Sequence, residues 1–132
     1  MPVDAITPHI FHQSISMPRP IIATIHISAL QHNLAVAKAH APTAKTWGVV
    51  KANAYGHGLA RALQAFSEAD GLALIEVDGA VRLREMGWKK PILLLEGFFQ
   101  PIDLEAVVEH QLEFAIHCNQ QIEMIEQAAI TA

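Results

Sequence analysis

The chain has 132 residues, 52% of them hydrophobic and 17% charged, with 9 Lys and Arg against 13 Asp and Glu for a formal net charge of −4. A mean hydropathy of +0.25 excludes a disordered chain, which would combine low hydrophobicity with high net charge, and a pI near 6.0 argues against nucleic acid, which selects a positive surface. No apolar run approaches the ~18 residues of a membrane span, no basic cluster precedes an apolar stretch at the N-terminus, and the single Cys118 cannot form an internal disulfide; the expected setting is the cytoplasm.

Residues 1–17, rich in Pro, His and Ser, read as a loose extension, with Met17 as an alternative start, and 18–132 read as one α/β unit. From about Ile21, short β-branched runs alternate with stretches of helical spacing. Ser28 with Gln31 three residues later has the form of a capping box, and Leu30, Leu34 and Ala37 make the apolar stripe of a first helix that Pro42 ends. Thr46 to Val50 reads as a strand buried on both faces, ending at Lys51. Past the Gly56-His57-Gly58 turn, Leu59, Leu63 and Phe66 recur at helical spacing, with Gly71 expected as the C-terminal cap. Leu72 to Val77 is the next strand, Asp78 the expected N-cap of a helix carrying Val81, Leu83 and Met86, and Gly87 its stop. Pro91 to Leu95 is a third strand. Pro101 to His110 follows as a helix with Leu104, Val107 and Val108 inward. Glu113 to His117 is a fourth strand, and Asn119 caps a last helix with Ile122 and Ile125 toward the core.

The strand midpoints near Val49, Leu74, Leu94 and Ala115 are 25, 20 and 21 residues apart, room for one crossover helix each time. That spacing favours neighbouring parallel strands with right-handed connections. Two architectures fit it, an open doubly wound sheet or half of a closed (β/α)₈ barrel, and a complete barrel needs roughly 250 residues.

The most informative segment is Val49-Val50-Lys51-Ala52-Asn53-Ala54-Tyr55-Gly56-His57-Gly58. It puts a lysine at the C-terminal end of a strand, the end where α/β folds gather reactive groups. A lysine stem against apolar walls favours the free amine, a nucleophile able to form a Schiff base. Tyr55 follows four residues on, beside glycines that let backbone and ligand approach closely, and its phenol can donate to a phosphate. Taken alone, a strand-end lysine is commonly a solvated surface group and Tyr-Gly-His-Gly only a tight turn.

The whole string decides between these readings, because it resembles the pyridoxal-phosphate attachment signature of the alanine racemase family at every position. The similarity continues through a strand and helix of the type Ile25-His26-Ile27-Ser28-Ala29-Leu30-Gln31-His32-Asn33, an acidic strand end before Ala80 to Gly87, and the Pro91 to Leu95 strand. It covers about Pro18 to Ala132 and implies the first half, about four βα units, of that family's (β/α)₈ TIM-type barrel. By that resemblance the second half and the C-terminal β-domain are expected to be missing and the 132 residues to be a truncated form, inactive alone.

The resemblance implies that Lys51 holds pyridoxal 5′-phosphate as a Schiff base and acts at the alanine Cα as one of two acid–base groups, the one serving the D-alanine face, and that Tyr55 binds the phosphate. It implies interconversion of L- and D-alanine, in supply of D-alanine for peptidoglycan or in alanine degradation, by a homodimer whose partner subunit brings a catalytic tyrosine as second base. Leu95 is more simply a packing residue than a lining of the cofactor ring. A non-catalytic pyridoxal-phosphate carrier of the same barrel class would lack the Ala54 to Gly58 run, and the related decarboxylases share Val-Lys-Ala-Asn but diverge from Tyr55. An inert truncated product is the remaining alternative. No metal site is expected: the 8 histidines show no ligand spacing, His9 and His12 fall in the extension, and His110 and His117 flank different elements. His57 reads as a turn residue, Asp78 as a cap, and Cys118 as structural. The unpaired edges of a half barrel are expected to make the chain self-associate.

Overall fold

The structure, a computed structural model, describes residues 21–131. The expected extension over 1–17, the alternative start at Met17, and His9 and His12 lie outside the described residues. Helix α1 (Ile27–His40) leads into β1 (Trp47–Val49), the short turn α2 (Lys51–Tyr55) and α3 (Leu59–Ala65). Then come β2 (Gly71–Leu74), α4 (Val77–Glu85), β3 (Ile92–Leu94), α5 (Asp103–Glu109), β4 (Glu113–Phe114) and α6 (Asn119–Thr131). The four strands form one parallel sheet in the order β1-β2-β3-β4. A doubly wound sheet reverses its strand order at a switch point. This order never reverses, so the arc of a (β/α)₈ barrel is the architecture adopted.

Register divides the sheet into two faces. Trp47, Val49, Gly71, Ala73, Leu93 and Glu113 share one face, and Gly48, Leu72, Leu74, Ile92, Leu94 and Phe114 the other. The second face is the core: Leu72, Leu74, Ile92 and Leu94 are completely buried, with Leu83 of α4 and Val107 of α5 packed over them. Each such side chain contributes about 2 kcal/mol by leaving water. On the first face Val49 remains 39% exposed, while Ala73 is buried. The expectation of a strand buried on both faces therefore holds for one face only. Glycine is required where large rings cross the strands: a Cβ on Gly71 would stand 2.5 Å from the Trp47 ring, and one on Gly48 3.0 Å from Phe66.

Several local expectations are corrected. Ser28 lies inside α1, whose N-cap is His26 with no side-chain cap bond, so the Ser28–Gln31 capping box does not form. Residues 21–26 form no strand, and of the expected α1 stripe Leu34 is buried, Leu30 half-buried and Ala37 exposed. Gly71 opens β2, and α3 ends at Phe66. Val77 and Asp78 belong to the first turn of α4, and the N-cap is Glu76. Gly87, at φ +96, does stop that helix: its N–H donates to Arg84 and the Trp88 N–H to Leu83, the paired bonds of a left-handed helix end. Val108 is 76% exposed and Ile122 43%, because α5 and α6 present Val107 and Gln121 inward instead.

Three cations tie together the loops that enter the strands. Lys38 Nζ donates to the Glu68 carbonyl at 2.8 Å and pairs with Asp70 at 3.2 Å, and Asp70 accepts the Thr46 N–H at 2.8 Å. Lys90 Nζ donates to the Ser67 and Ala69 carbonyls at 2.7 and 2.9 Å. Arg84 donates to the carbonyls of His110, Trp88, Lys90 and Gln111 at 2.9, 2.9, 2.7 and 3.2 Å. All of these carbonyls precede a strand, so the N-terminal end of the sheet is the stapled end. Among the described residues no helix is long and apolar enough to cross a membrane.

Candidate active site

The opposite end of the sheet is built differently. Directly after β1, the chain enters four consecutive left-handed residues: Ala52, Asn53, Ala54 and Tyr55 have φ between 51 and 54°. Their Cβ atoms crowd the following carbonyls in this region, at about 1–2 kcal/mol for an ordinary L-residue; asparagine tolerates it best. Small alanines and an asparagine at three of the four positions limit that cost. Gly56, at φ +83, then closes the turn where a side chain would add to it.

Hydrogen bonds hold this unusual winding. Inside it, the Ala54 N–H donates to Val50 at 2.8 Å, Gly56 to Ala52 at 3.2 Å, His57 to Ala54 at 3.0 Å and Gly58 to Asn53 at 2.9 Å. The Asn53 side-chain oxygen accepts the Leu59 N–H at 2.9 Å, tying the turn to the start of α3, and His57 Nδ1 donates to the Ala54 carbonyl at 2.8 Å. The turn role expected for His57 is the one observed. From the N-cap of α4, Glu76 Oε1 accepts the Ala52 N–H at 3.0 Å and Oε2 accepts the Ile75 N–H at 3.4 Å.

Lys51 and Tyr55 stand at either end of this turn. Lys51 is half-buried, and Tyr55 is 61% exposed. Among the described residues neither the Lys51 amine nor the Tyr55 hydroxyl has a hydrogen-bond or ion-pair partner. An amine that gives up part of its hydration without a carboxylate partner is available to an incoming ligand. The phenol above the rim is equally free to donate to an anion. Ile75 and Leu95 stand half-buried just past β2 and β3 at this end of the sheet, and neither belongs to the hydrophobic core cluster.

Farther along the rim, buried Gln121 of α6 donates to the carbonyls of Glu96 and Phe98 at 2.8 and 3.0 Å and accepts the His117 N–H at 2.7 Å. His117 Nε2 donates to the Leu95 carbonyl at 2.7 Å, and Cys118 is exposed beside it. Sequence reasoning missed Glu76 and Gln121 as organising residues. The acidic strand end was visible for Glu76, but both act on backbone groups 23 to 25 residues away, a relation without local pattern. A cavity of about 900 Å³ lies between α5 and α6 against Leu104, Val107, Phe114, Met124 and Ile125 and includes neither Lys51 nor Tyr55.

Comparison with known proteins points the same way. The family model described as alanine racemase, N-terminal domain, matches residues 25–132. The alanine racemase of Janthinobacterium sp. (strain Marseille) is 61% identical over 114 residues, covering 86% of this chain and 32% of that protein. That of Paraburkholderia phytofirmans is 53% identical over 115 residues, covering 87% and 32%. Among solved structures, alanine racemase from Acinetobacter baumannii superposes with a TM-score of 0.74 at 34% identity, over 78% of this chain and 29% of that one. The biosynthetic alanine racemase from Pseudomonas aeruginosa gives 0.74 at 37% identity, over 77% and 29%. The chain thus spans about 30% of the length of the relatives it matches.

Proposed function

The chain belongs to the alanine racemase N-terminal domain family, and from that membership we propose that Lys51 holds pyridoxal 5′-phosphate and is one of two acid–base groups interconverting L- and D-alanine. The observation that carries this reading is the half-buried, unpartnered Lys51 amine at the C-terminal end of β1, followed by the left-handed turn that ends at Tyr55. Both side chains fit the cofactor: an amine without a protein partner suits its aldehyde, and an exposed phenol donor suits its phosphate.

When bound, the cofactor supplies an electron sink for charge developing at the substrate Cα. Lys51 then has to hold and move one proton at that carbon, on the D-alanine face. Tyr55 donates its O–H to the phosphate and so fixes the distance between anion and amine along the turn. The second acid–base group, and the remaining contacts to phosphate and substrate, would come from parts of such an enzyme beyond these residues, the second base from the partner subunit of a homodimer. One missing acid–base group alone lowers a rate by about 10²–10⁴-fold, so the 132 residues by themselves are expected to bind better than they turn over.

The test is incubation with pyridoxal phosphate, borohydride reduction and peptide mapping. Lys51 should be modified ahead of Lys38, Lys45, Lys89 and Lys90, and preferential modification of any of those would overturn the assignment. Exchange of the alanine α-hydrogen with deuterated water separates racemisation chemistry from simple cofactor carriage, and Lys51→Ala should abolish whatever exchange is measured.

A further inference from the structure

We propose that Glu76 is a positioning residue for Lys51, its carboxylate locking from the N-cap of α4 the left-handed turn that carries Lys51 and Tyr55. The inference rests on the role given to Lys51 above. Glu76 occupies the N-cap of α4, where an acidic side chain ordinarily turns back onto its own helix, yet it makes no cap bond there. One carboxylate oxygen crosses to the Ala52 N–H at 3.0 Å and the other takes the Ile75 N–H at 3.4 Å. Ala52 is the residue directly after Lys51 and the first with positive φ. Every other hydrogen bond made by residues 52–55 stays within residues 50–59. Among the described residues, the Glu76–Ala52 bond is therefore the one that ties this strained stretch to a segment outside residues 50–59.

The strain gives the bond its importance. A run of left-handed residues gains by relaxing toward ordinary backbone, and relaxation at Ala52 would rotate the Lys51 carbonyl and redirect its side chain relative to Tyr55. A charge-assisted bond from a carboxylate is about twice as strong as a neutral one and opposes that rotation at its origin.

Glu76→Asp separates this role from a structural one. Aspartate keeps the charge and is a better N-cap, so α4 should be unharmed. Its shorter side chain withdraws the carboxylate from Ala52. Glu76→Gln keeps an oxygen at the same reach and is the partial rescue. Two measurements on the full chain are needed: hydrogen exchange of the Ala52 amide, with Leu72 in β2 as control, and the rate of Lys51 modification by pyridoxal phosphate and borohydride relative to Lys45. In Glu76→Asp the Ala52 amide should exchange on the order of tenfold faster while Leu72 is unchanged, and the preference for Lys51 should fall toward that of an exposed lysine. Glu76→Gln keeps the reach to Ala52 but loses the charge and the acceptor for Ile75, so it should fall between wild type and Glu76→Asp in both.

Unchanged Ala52 exchange in Glu76→Asp would overturn the proposal, as would faster exchange with the Lys51 preference intact. If wild type shows no preference for Lys51, the cofactor reading fails, and the role of Glu76 toward that lysine fails with it. If wild type prefers Lys51 and Glu76→Asp does too, the proposal fails alone.

Discussion

Replacing Ala52 by glycine should stabilise the fold, the reverse of what this change does in an ordinary helix. Ala52 sits at φ 51, ψ 49, is exposed, and forms its one tertiary bond through its backbone N–H, which glycine retains. The substitution removes no buried surface and opens no cavity. It removes about 1–2 kcal/mol of left-handed strain and adds about 0.4–1 kcal/mol of unfolded-chain entropy, leaving about 0.5–1 kcal/mol in favour of glycine. Ala37, exposed in the middle of α1, is the control: there the same change should cost about 1 kcal/mol. The two variants should therefore differ by about 1.5–2 kcal/mol, readable from urea midpoints followed by far-UV circular dichroism. If Ala52→Gly lowers the midpoint as much as Ala37→Gly, the left-handed turn is not the conformation held in solution.

Arg84→Ala should lose about 2–3 kcal/mol in urea unfolding, since one side chain serves four carbonyls on two segments, 88–90 and 110–111. Arg84→Lys should not restore it, because a single ammonium cannot reproduce the guanidinium fork; a lysine variant at wild-type stability would refute that account. The Asp70 carboxyl is held below its ordinary range by the Thr46 N–H and then by Lys38, so its contribution to stability is complete above about pH 4 and is lost as pH falls through the lowered folded value. The difference in Tm between wild type and Asp70→Asn should accordingly be constant near neutrality and shrink below pH 4, whereas a difference that grows on acidification would reverse the sign of the argument. The exposed Val49 and the edges of β1 and β4, unpaired among the described residues, should make the 132-residue chain self-associate, and a single monodisperse monomer in sedimentation velocity would count against this.

The number, type and order of the βα units were legible because each strand is a short apolar run separated from the next by one helix length. The stop at Gly87 was legible for a similar reason, since a glycine after an apolar stripe is a local signal. Which residue caps a helix was not: Ser28, Asp78 and Gly71 all carry plausible local chemistry, and packing placed the boundaries two or more residues away. The inward residues of α5 and α6 were misread because apolarity alone cannot distinguish Val107 from Val108, and because buried Gln121 satisfies three backbone groups that no local pattern announces. At the site, Lys51 and Tyr55 stood out through the string that contains them. The left-handed winding between them did not, since alanine and tyrosine are ordinary formers of right-handed structure.

The stapling of the strand-entry loops by Lys38, Lys90 and Arg84 divides the molecule by its tolerance of change. Apart from the Lys38–Asp70 pair, those cations bind main-chain carbonyls, which every residue possesses, so the loops they secure can drift in sequence at positions other than Asp70 while the cations themselves cannot. At the other end the turn after β1 is held by particular side chains, Asn53, His57 and Glu76, and by glycines. Variation there is paid for residue by residue. One pole thus keeps its shape without keeping its sequence, and the other can keep its shape only by keeping both.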